Sequence, residues 1–337
     1  MLKSRFSPAL AGFFLLGIPA FTACNKNTEA AAPSAPAMVV TVSTVAGSGV
    51  AGAADGAGTA AQFHWPYGIV QNAQGTLYVA DNSNNAIRQV SPAGVVSTLA
   101  YVGGPSGLAL DSQGMLYVGS EGNGPLTKVS PSGAVSSLPG AAATHIFHYP
   151  RGLAIDAQGT LYVGELAGRI LKVSPAGVVT VLAGDSTGGY VNGVSAAARF
   201  SGVQSLAVDA QGTLYVGDAD NARIRKVSPA GVVTTLAGSG IAGGADGVGP
   251  TAQFGTLYGL TVGTQGTLYA ADGTTVRRIS ANGEVKTLAG DNNQAGYLDG
   301  LGATARFSRV AGICGNAQTG FYITDFDNSR IRKLILQ

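Results

Sequence analysis

The chain has 337 residues, of which 45% are hydrophobic and only 11% are charged, with 20 Lys and Arg against 18 Asp and Glu. The near balance of charge excludes a basic nucleic-acid-binding surface and an acidic disordered tail. The hydrophobic content is high enough for a large core, which excludes a disordered chain. Glycine is abundant, at 51 residues, and we expect it mainly in turns.

The first residues have the pattern of an export signal. Lys3 and Arg5 precede an apolar run over residues 9–21, which is shorter than a membrane-spanning helix requires. The run ends in Phe21-Thr22-Ala23-Cys24, which resembles the lipobox of bacterial lipoproteins. The resemblance implies a signal peptide over residues 1–23 and acylation of Cys24. An ordinary secretory signal with an incidental cysteine is the alternative.

The residues after Cys24 are polar and then rich in Ala and Pro, so we predict a flexible tether over residues 24–37. Cys314 is the other cysteine of the chain, which leaves no disulfide framework. By the same resemblance, Asn25 after the acylated cysteine favours sorting to the outer membrane. We therefore expect a protein of the bacterial cell envelope that contacts the membrane through its lipid anchor only.

One unit recurs through the rest of the chain. Its most regular residue is a tyrosine at positions 78, 117, 162, 215, 269 and 322, with spacings of 39, 45, 53, 54 and 53 residues. This period is typical of propeller blades, and no helical pattern interrupts it.

Each unit contains four short strands, here called a to d. In the fourth copy they are predicted at 205–208, 213–217, 223–227 and 232–236, with Gly, Pro, Asn and Asp at the boundaries. Strand b is apolar at successive positions, as expected for a blade between two others.

The sixth copy ends after strand c, whereas residues 39–47 have the sequence of a strand d. We therefore predict that this N-terminal strand completes the last blade and closes the ring. The predicted fold over residues 38–337 is all-β, a six-bladed β-propeller with four antiparallel strands per blade.

The loops after strand b carry a recurrent motif. Asp218-x-x-Asn221-x-Arg223 and Asp325-x-x-Asn328-x-Arg330 resemble the NHL repeat, as do the prolines at 66 and 150. The resemblance covers about residues 38–337 and implies six blades. Blades 2 and 5 depart from it, with Ser120 and Thr274-Thr275 at the motif positions. We expect the recurrent Asp to pair with Arg223 or Arg330, or to cap its loop.

The connections between blades differ in length. Four long ones share an Asp-Gly or Asn-Gly pair followed by a Phe, over residues 55–63, 192–200, 246–254 and 299–307. We interpret the pair as a turn and the Phe as an anchor between blades. The long connections predict a high wall over blades 4, 5, 6 and 1 on the face that also carries the b–c loops. This loop face is the candidate binding face, and the uniform a–b and c–d turns of the other face are interpreted as spacers.

The residue before each strand a predicts a ring around the channel. The ring consists of Tyr67, Ser106, Arg151, Gln204, Tyr258 and Ala311. With Trp65 and Tyr149 nearby in sequence, it has the composition of a recognition surface, although packing that plugs the channel is equally consistent. The ring contains no carboxylate, which argues against the calcium site of gluconolactonase-like propellers.

Three histidines are candidate metal ligands. His64 and His148 occupy equivalent positions, and His145 lies three residues before His148. Imidazoles from different blades can bind a divalent metal, and the amidating lyases related to NHL propellers have a zinc site of that kind. The other blades offer no third equivalent histidine, so neither zinc nor calcium is favoured, and no residue is assigned a catalytic role.

The sequence thus predicts a lipid-anchored extracytoplasmic propeller that binds a protein, a peptide or a glycan on its loop face, with no nucleic-acid partner. The alternative is a metal-dependent hydrolase or lyase, lactonase-like or amidating-lyase-like, with its site at the channel mouth. A structural protein of the envelope is a third possibility, because propellers serve all three roles.

Overall fold

The computed structural model describes residues 38–337, so the predicted signal peptide, Cys24 and the tether lie outside the described residues. The described part is almost entirely β-structure, and its strands form six blades around a channel. The predicted six-bladed β-propeller is confirmed. No helix within residues 38–337 is long and apolar enough to span a membrane.

Strands a, b, c and d are antiparallel neighbours in each blade, with strand a at the channel. Strand a spans Pro66–Gln71, Pro105–Leu110, Pro150–Ile155, Val203–Val208, Leu257–Val262 and Val310–Asn316 in blades 1 to 6. Strand b spans Leu77–Asp81, Leu116–Ser120, Leu161–Glu165, Leu214–Asp218, Leu268–Asp272 and Gly320–Asp325. Strand c spans Ala86–Val90, Thr127–Val129, Ile170–Val173, Arg223–Val227, Thr275–Ile279 and Arg330–Leu336. Strand d spans Val95–Tyr101, Val135–Ser137, Val179–Ala183, Val232–Ala237, Glu284–Gly290 and Val40–Ala46.

The ring closes through the N-terminal strand, as predicted. Val40–Ala46 pairs antiparallel with Arg330–Leu336, and Val42 lies opposite Leu334. Both of these side chains are buried in one hydrophobic cluster with the core of blade 6. Because the first and last strands of the propeller form one sheet, neither leaves an unpaired edge at the junction.

Blades 1, 4, 5 and 6 have a fifth, outer strand of two residues that pairs with strand d. These strands are Gly56–Ala57, Gly193–Val194, Gly247–Val248 and Gly300–Leu301. The interpretation of the Asp-Gly and Asn-Gly pairs as turns is wrong, because the glycine of each pair begins this strand. Part of each long connection therefore lies along the outer edge of its blade.

The remaining elements are short. In the long connections, 3₁₀ helices span Gly58–Ala60, Ser195–Ala197 and Gly249–Thr251. Others span Asn82–Asn84, Gly140–Ala143, Ala219–Asn221 and Thr264–Gly266. A two-stranded ribbon pairs Asn123–Gly124 with Phe147–His148 and ties the b–c loop of blade 2 to the connection before blade 3.

A buried arginine of strand c holds each long connection in place. In blade 4, Arg225 is fully buried and donates to Asp218 Oδ2 at 2.7 Å and to Asn192 Oδ1 at 2.8 Å. It also donates to the backbone carbonyls of Arg199 and Val191. Arg88, Arg277 and Arg332 make equivalent ion pairs in blades 1, 5 and 6.

The predicted partner of Asp218 is therefore wrong. Arg223 lies at the start of strand c, where it donates to the carbonyl of Ser239 at 2.7 Å and covers the ring of Tyr190. Arg330 does the same with Ser48 and Tyr297. The loop-capping part of the prediction is confirmed, because Asp218 Oδ1 accepts from Asn221 Nδ2 at 2.8 Å and from the backbone of Ser201.

Phenylalanines fill the spaces between blades. Phe63, Phe200, Phe254 and Phe307 of the long connections are all fully buried, as the repeated pattern predicts. Phe200 packs against Ile170 of blade 3 and Leu214 of blade 4, and the other three occupy similar clusters. Cys314 is also buried, and burial raises the pKa of its thiol, which fits the prediction of a small core residue.

Candidate functional site

Alternate residues of strand a face the channel and form three layers. The first layer is the ring predicted from the sequence, at the loop face. The second layer is aliphatic in every blade and consists of Ile69, Leu108, Leu153, Leu206, Leu260 and Ile313. A cavity of only about 60 Å³ remains between these two layers. The channel is therefore closed at its middle, and the two faces present separate surfaces.

Half of the predicted ring is packing. Tyr67 is 6% exposed, and Ser106 and Ala311 are fully buried. The Ser106 hydroxyl donates to the carbonyl of Gly119 at 3.0 Å. Arg151, Gln204 and Tyr258 keep partial exposure, so only this second half of the ring remains open to a ligand.

An aromatic cluster lies at the channel mouth on blades 6, 1 and 5. Trp65 stacks on Phe326 with 5.6 Å between ring centroids and an interplanar angle of 13°. Phe326 meets the ring of Tyr67 edge-on at 5.9 Å, and Tyr67 meets Tyr258 edge-on at 6.4 Å. Arg309 covers the ring of Phe326 at 4.8 Å. One face of the Trp65 ring is thereby fixed by Phe326, while the residue as a whole is 47% exposed.

Polar contacts continue this cluster across blades 4, 3 and 2. The Tyr67 hydroxyl donates to Gln204 Oε1 at 3.0 Å, and Arg151 Nη1 donates to the same oxygen at 3.2 Å. Arg151 Nη2 reaches Glu121 Oε1 at 3.2 Å. Burial raises the pKa of Tyr67 to about 12, so its hydroxyl stays protonated and keeps donating at neutral pH. Each of the six blades thus contributes at least one side chain to a continuous set of contacts at the mouth.

Two aromatic residues of the mouth have an unusual backbone conformation. Trp65 has φ of 58° and Tyr149 has φ of 48°, both in the left-handed region. At the equivalent positions, just before strand a, blades 2 and 4 have Gly104 and Gly202, which adopt this conformation without strain. A left-handed conformation costs an ordinary residue about 1–2 kcal/mol.

Burial does not compensate for this strain. Tyr149 is 45% exposed, close to the exposure of Trp65. The backbone around Tyr149 is nevertheless well fixed, because its N–H donates to the carbonyl of Gly122 at 3.0 Å next to the two-stranded ribbon. Exposed rings that are held in strained, rigid positions indicate a functional constraint. The sequence placed both residues near the mouth, but only the structure identifies the strain.

The three histidines do not form one cluster. His64 lies against the ring of Trp65 at 5.2 Å, and its backbone N–H donates to Asp81. His145 packs against Phe147 at 4.5 Å, whereas His148 is exposed. Within residues 38–337, no group of three or more His, Cys, Asp or Glu side chains is arranged to hold a metal ion.

The largest concavity of the channel lies on the opposite face, at the a–b turns, with a volume of about 470 Å³. The sequence interpretation assigned this face to spacers, because its turns scarcely vary between blades. The missed signal is in strand a itself, where aliphatic residues recur at the channel-facing positions up to the last one, as in Leu110, Ile155 and Val208.

No known protein family and no curated protein matches the chain. Solved structures do resemble it. An auxiliary nutrient binding protein from Bacteroides thetaiotaomicron VPI-5482 is 19% identical, with a TM-score of 0.71 over 89% of this chain and 76% of that one. A gluconolactonase from Xanthomonas campestris is also 19% identical, with a TM-score of 0.58 over 82% and 87% of the two chains. Virginiamycin B lyase from Staphylococcus aureus is 14% identical, with a TM-score of 0.53 over 89% and 100%. At these identities the similarity shows the β-propeller fold alone.

Proposed function

We propose that the protein is a binding propeller of the bacterial cell envelope, anchored through Cys24, that recognises a glycan at the channel mouth of its loop face. The observation that carries the proposal is the pair of exposed rings, Trp65 and Tyr149, on left-handed backbone. Strain of this kind persists where function requires it, and neither ring is needed to fill the core. The NHL-type loop motifs and the fold similarity to a nutrient-binding propeller support a binding role.

The chemistry of the mouth favours a glycan over a protein or peptide. The faces of aromatic rings carry negative charge density and attract the weakly positive C–H groups on the flat side of a sugar ring. Next to the aromatic residues, Arg151 and Glu121 present partly exposed charged groups that can bind hydroxyls. The Nε of Arg151 is buried and has no hydrogen-bond partner among the described residues, which leaves one donor for an incoming oxygen.

The proposal is tested with the purified protein on arrays of glycans and of peptides, followed by calorimetric titration of each hit. Trp65→Gly and Tyr149→Gly remove the rings and keep a residue suited to the backbone. Each should weaken binding at least about tenfold, as expected for aromatic anchors. The matched control is Tyr101→Ala, because Tyr101 is 75% exposed at the end of strand d. Equal binding by all three variants would contradict the proposal, and hits confined to peptides would assign the same site to a protein partner.

The alternative function is a metal-dependent hydrolase or lyase with its site near His64 and His148. Its support is the fold similarity to a gluconolactonase and a lyase. Elemental analysis of the protein purified without chelator tests it. One zinc or calcium per chain that is lost in a His64→Ala/His148→Ala variant would favour this alternative over the binding role.

A further inference from the structure

The cavity on the a–b face is a separate, blind-ended site. Its floor is the second layer of the channel, six aliphatic side chains that are each at most 7% exposed. The floor separates it from Trp65, Tyr149 and the rest of the loop face. Its volume of about 470 Å³ falls in the range of about 300–1,000 Å³ that is usual for small-molecule sites.

The wall of this cavity is formed by the third layer. Leu110, Ile155, Val208 and Val262 contribute partly exposed aliphatic side chains from blades 2 to 5. Gly315 of blade 6 contributes no side chain. Water in such a cavity gains few hydrogen bonds from the side chains of its walls, so its displacement by an apolar molecule is favourable.

The polar groups are concentrated on one side. Gln71 of blade 1 is the one polar side chain of the third layer, and its Nε2 makes only a long contact of 3.4 Å with the carbonyl of Gly75. Asn72 and Asn316 lie at the rim, where each uses its side-chain oxygen to accept backbone N–H groups of its own turn. No charged residue lines the cavity in the described part of the chain. A charged ligand would therefore be desolvated without a partner.

We propose that this cavity binds a compact, uncharged apolar molecule whose single polar group hydrogen-bonds the amide of Gln71. The site is independent of the proposed glycan site, because the closed middle of the channel lies between them. The aliphatic wall selects the apolar body, and the position of Gln71 on one side orients the polar end.

The test is a fluorescence titration of the purified protein with N-phenyl-1-naphthylamine, an uncharged apolar probe with one N–H donor. We expect saturable binding of one probe per chain. The anionic probe 1-anilinonaphthalene-8-sulfonate should bind at least about tenfold more weakly, because the cavity offers no cation. Probe binding that does not saturate, or equal affinity for both probes, would overturn the proposal.

Variants localise the probe. Val208→Phe fills the cavity from a partly exposed wall position, and Val208→Lys places a charge in it, so each should weaken probe binding at least about tenfold. Gln71→Leu should weaken it a few-fold, and Tyr101→Ala should leave it unchanged. Melting curves from circular dichroism check that each variant is folded. Unchanged binding in both Val208 variants would overturn the proposal, and loss of probe binding in Trp65→Gly would instead place the probe on the loop face.

Discussion

Replacing Arg225 with methionine removes the centre of a buried hydrogen-bond network in blade 4. Arg225 and Asp218 are both fully buried, and their ion pair measures 2.7 Å. The guanidinium also holds Asn192 and two backbone carbonyls of the long connection. Methionine is of similar length, so the substitution removes the charge and its hydrogen bonds while leaving little empty space.

The expected loss follows from what remains behind. Asp218 would keep its hydrogen bonds from Ser201 and Asn221, but its charge would have no partner, which costs about 3–5 kcal/mol of unfolding free energy. Burial already raises the pKa of Asp218 against the opposing effect of Arg225. Arg223→Met removes two hydrogen bonds to carbonyls from a partly exposed side chain, and we expect a loss of about 1–2 kcal/mol.

Urea denaturation followed by circular dichroism measures both losses. The double variant Arg225→Met/Asp218→Asn should recover at least about 1 kcal/mol of the loss in Arg225→Met, because it no longer leaves an unpaired charge. If Arg223→Met cost as much as Arg225→Met, or if the double variant recovered nothing, the assignment of the buried ion pair as the critical interaction would be refuted.

Two further predictions concern pH and ring closure. Burial raises the pKa of Asp272 from 3.8 to about 6, because its loop lacks the Asn that donates to the equivalent aspartates. The folded state therefore favours the protonated carboxyl, and stability should fall by up to about 3 kcal/mol as pH rises from 4 to above 6. Asp272→Asn should flatten this fall in urea midpoints measured from pH 4 to 8; an unchanged slope would contradict the shift. Val42→Asp, in the closing strand and 3% exposed, should lower the melting temperature far more than the exposed control Ser43→Asp, and equal effects would contradict the ring closure.

The repeated features of the fold were predictable from the sequence. Six copies of Tyr, evenly spaced turns and the displaced strand at residues 39–47 determined the blade number and the closure. The outer strands were not predictable, because two residues such as Gly56–Ala57 show no periodicity. Arg223 and Arg225 lie on the same face of strand c, so the pattern alone cannot tell which of them reaches Asp218.

The candidate site was predictable only in part. The ring positions followed from the repeat alignment, but which of them are buried depends on side-chain packing across the channel. Tyr67 and Ser106 became packing, whereas Trp65 and Tyr149 are exposed. Their left-handed backbone could not be expected from the sequence, because a positive φ is ordinarily signalled by Gly or Asn rather than by an aromatic residue.

The most direct test of the proposed function is the glycan affinity of the Trp65→Gly/Tyr149→Gly double variant beside its melting temperature. Relief of backbone strain offsets the lost stacking of Trp65 on Phe326, about 1 kcal/mol in each direction, so the melting temperature should stay close to that of the unsubstituted protein. Glycan affinity should fall at least about a hundredfold, since two anchors are lost. Retained affinity, or a large drop in melting temperature, would show that the two rings serve packing and would contradict the proposal.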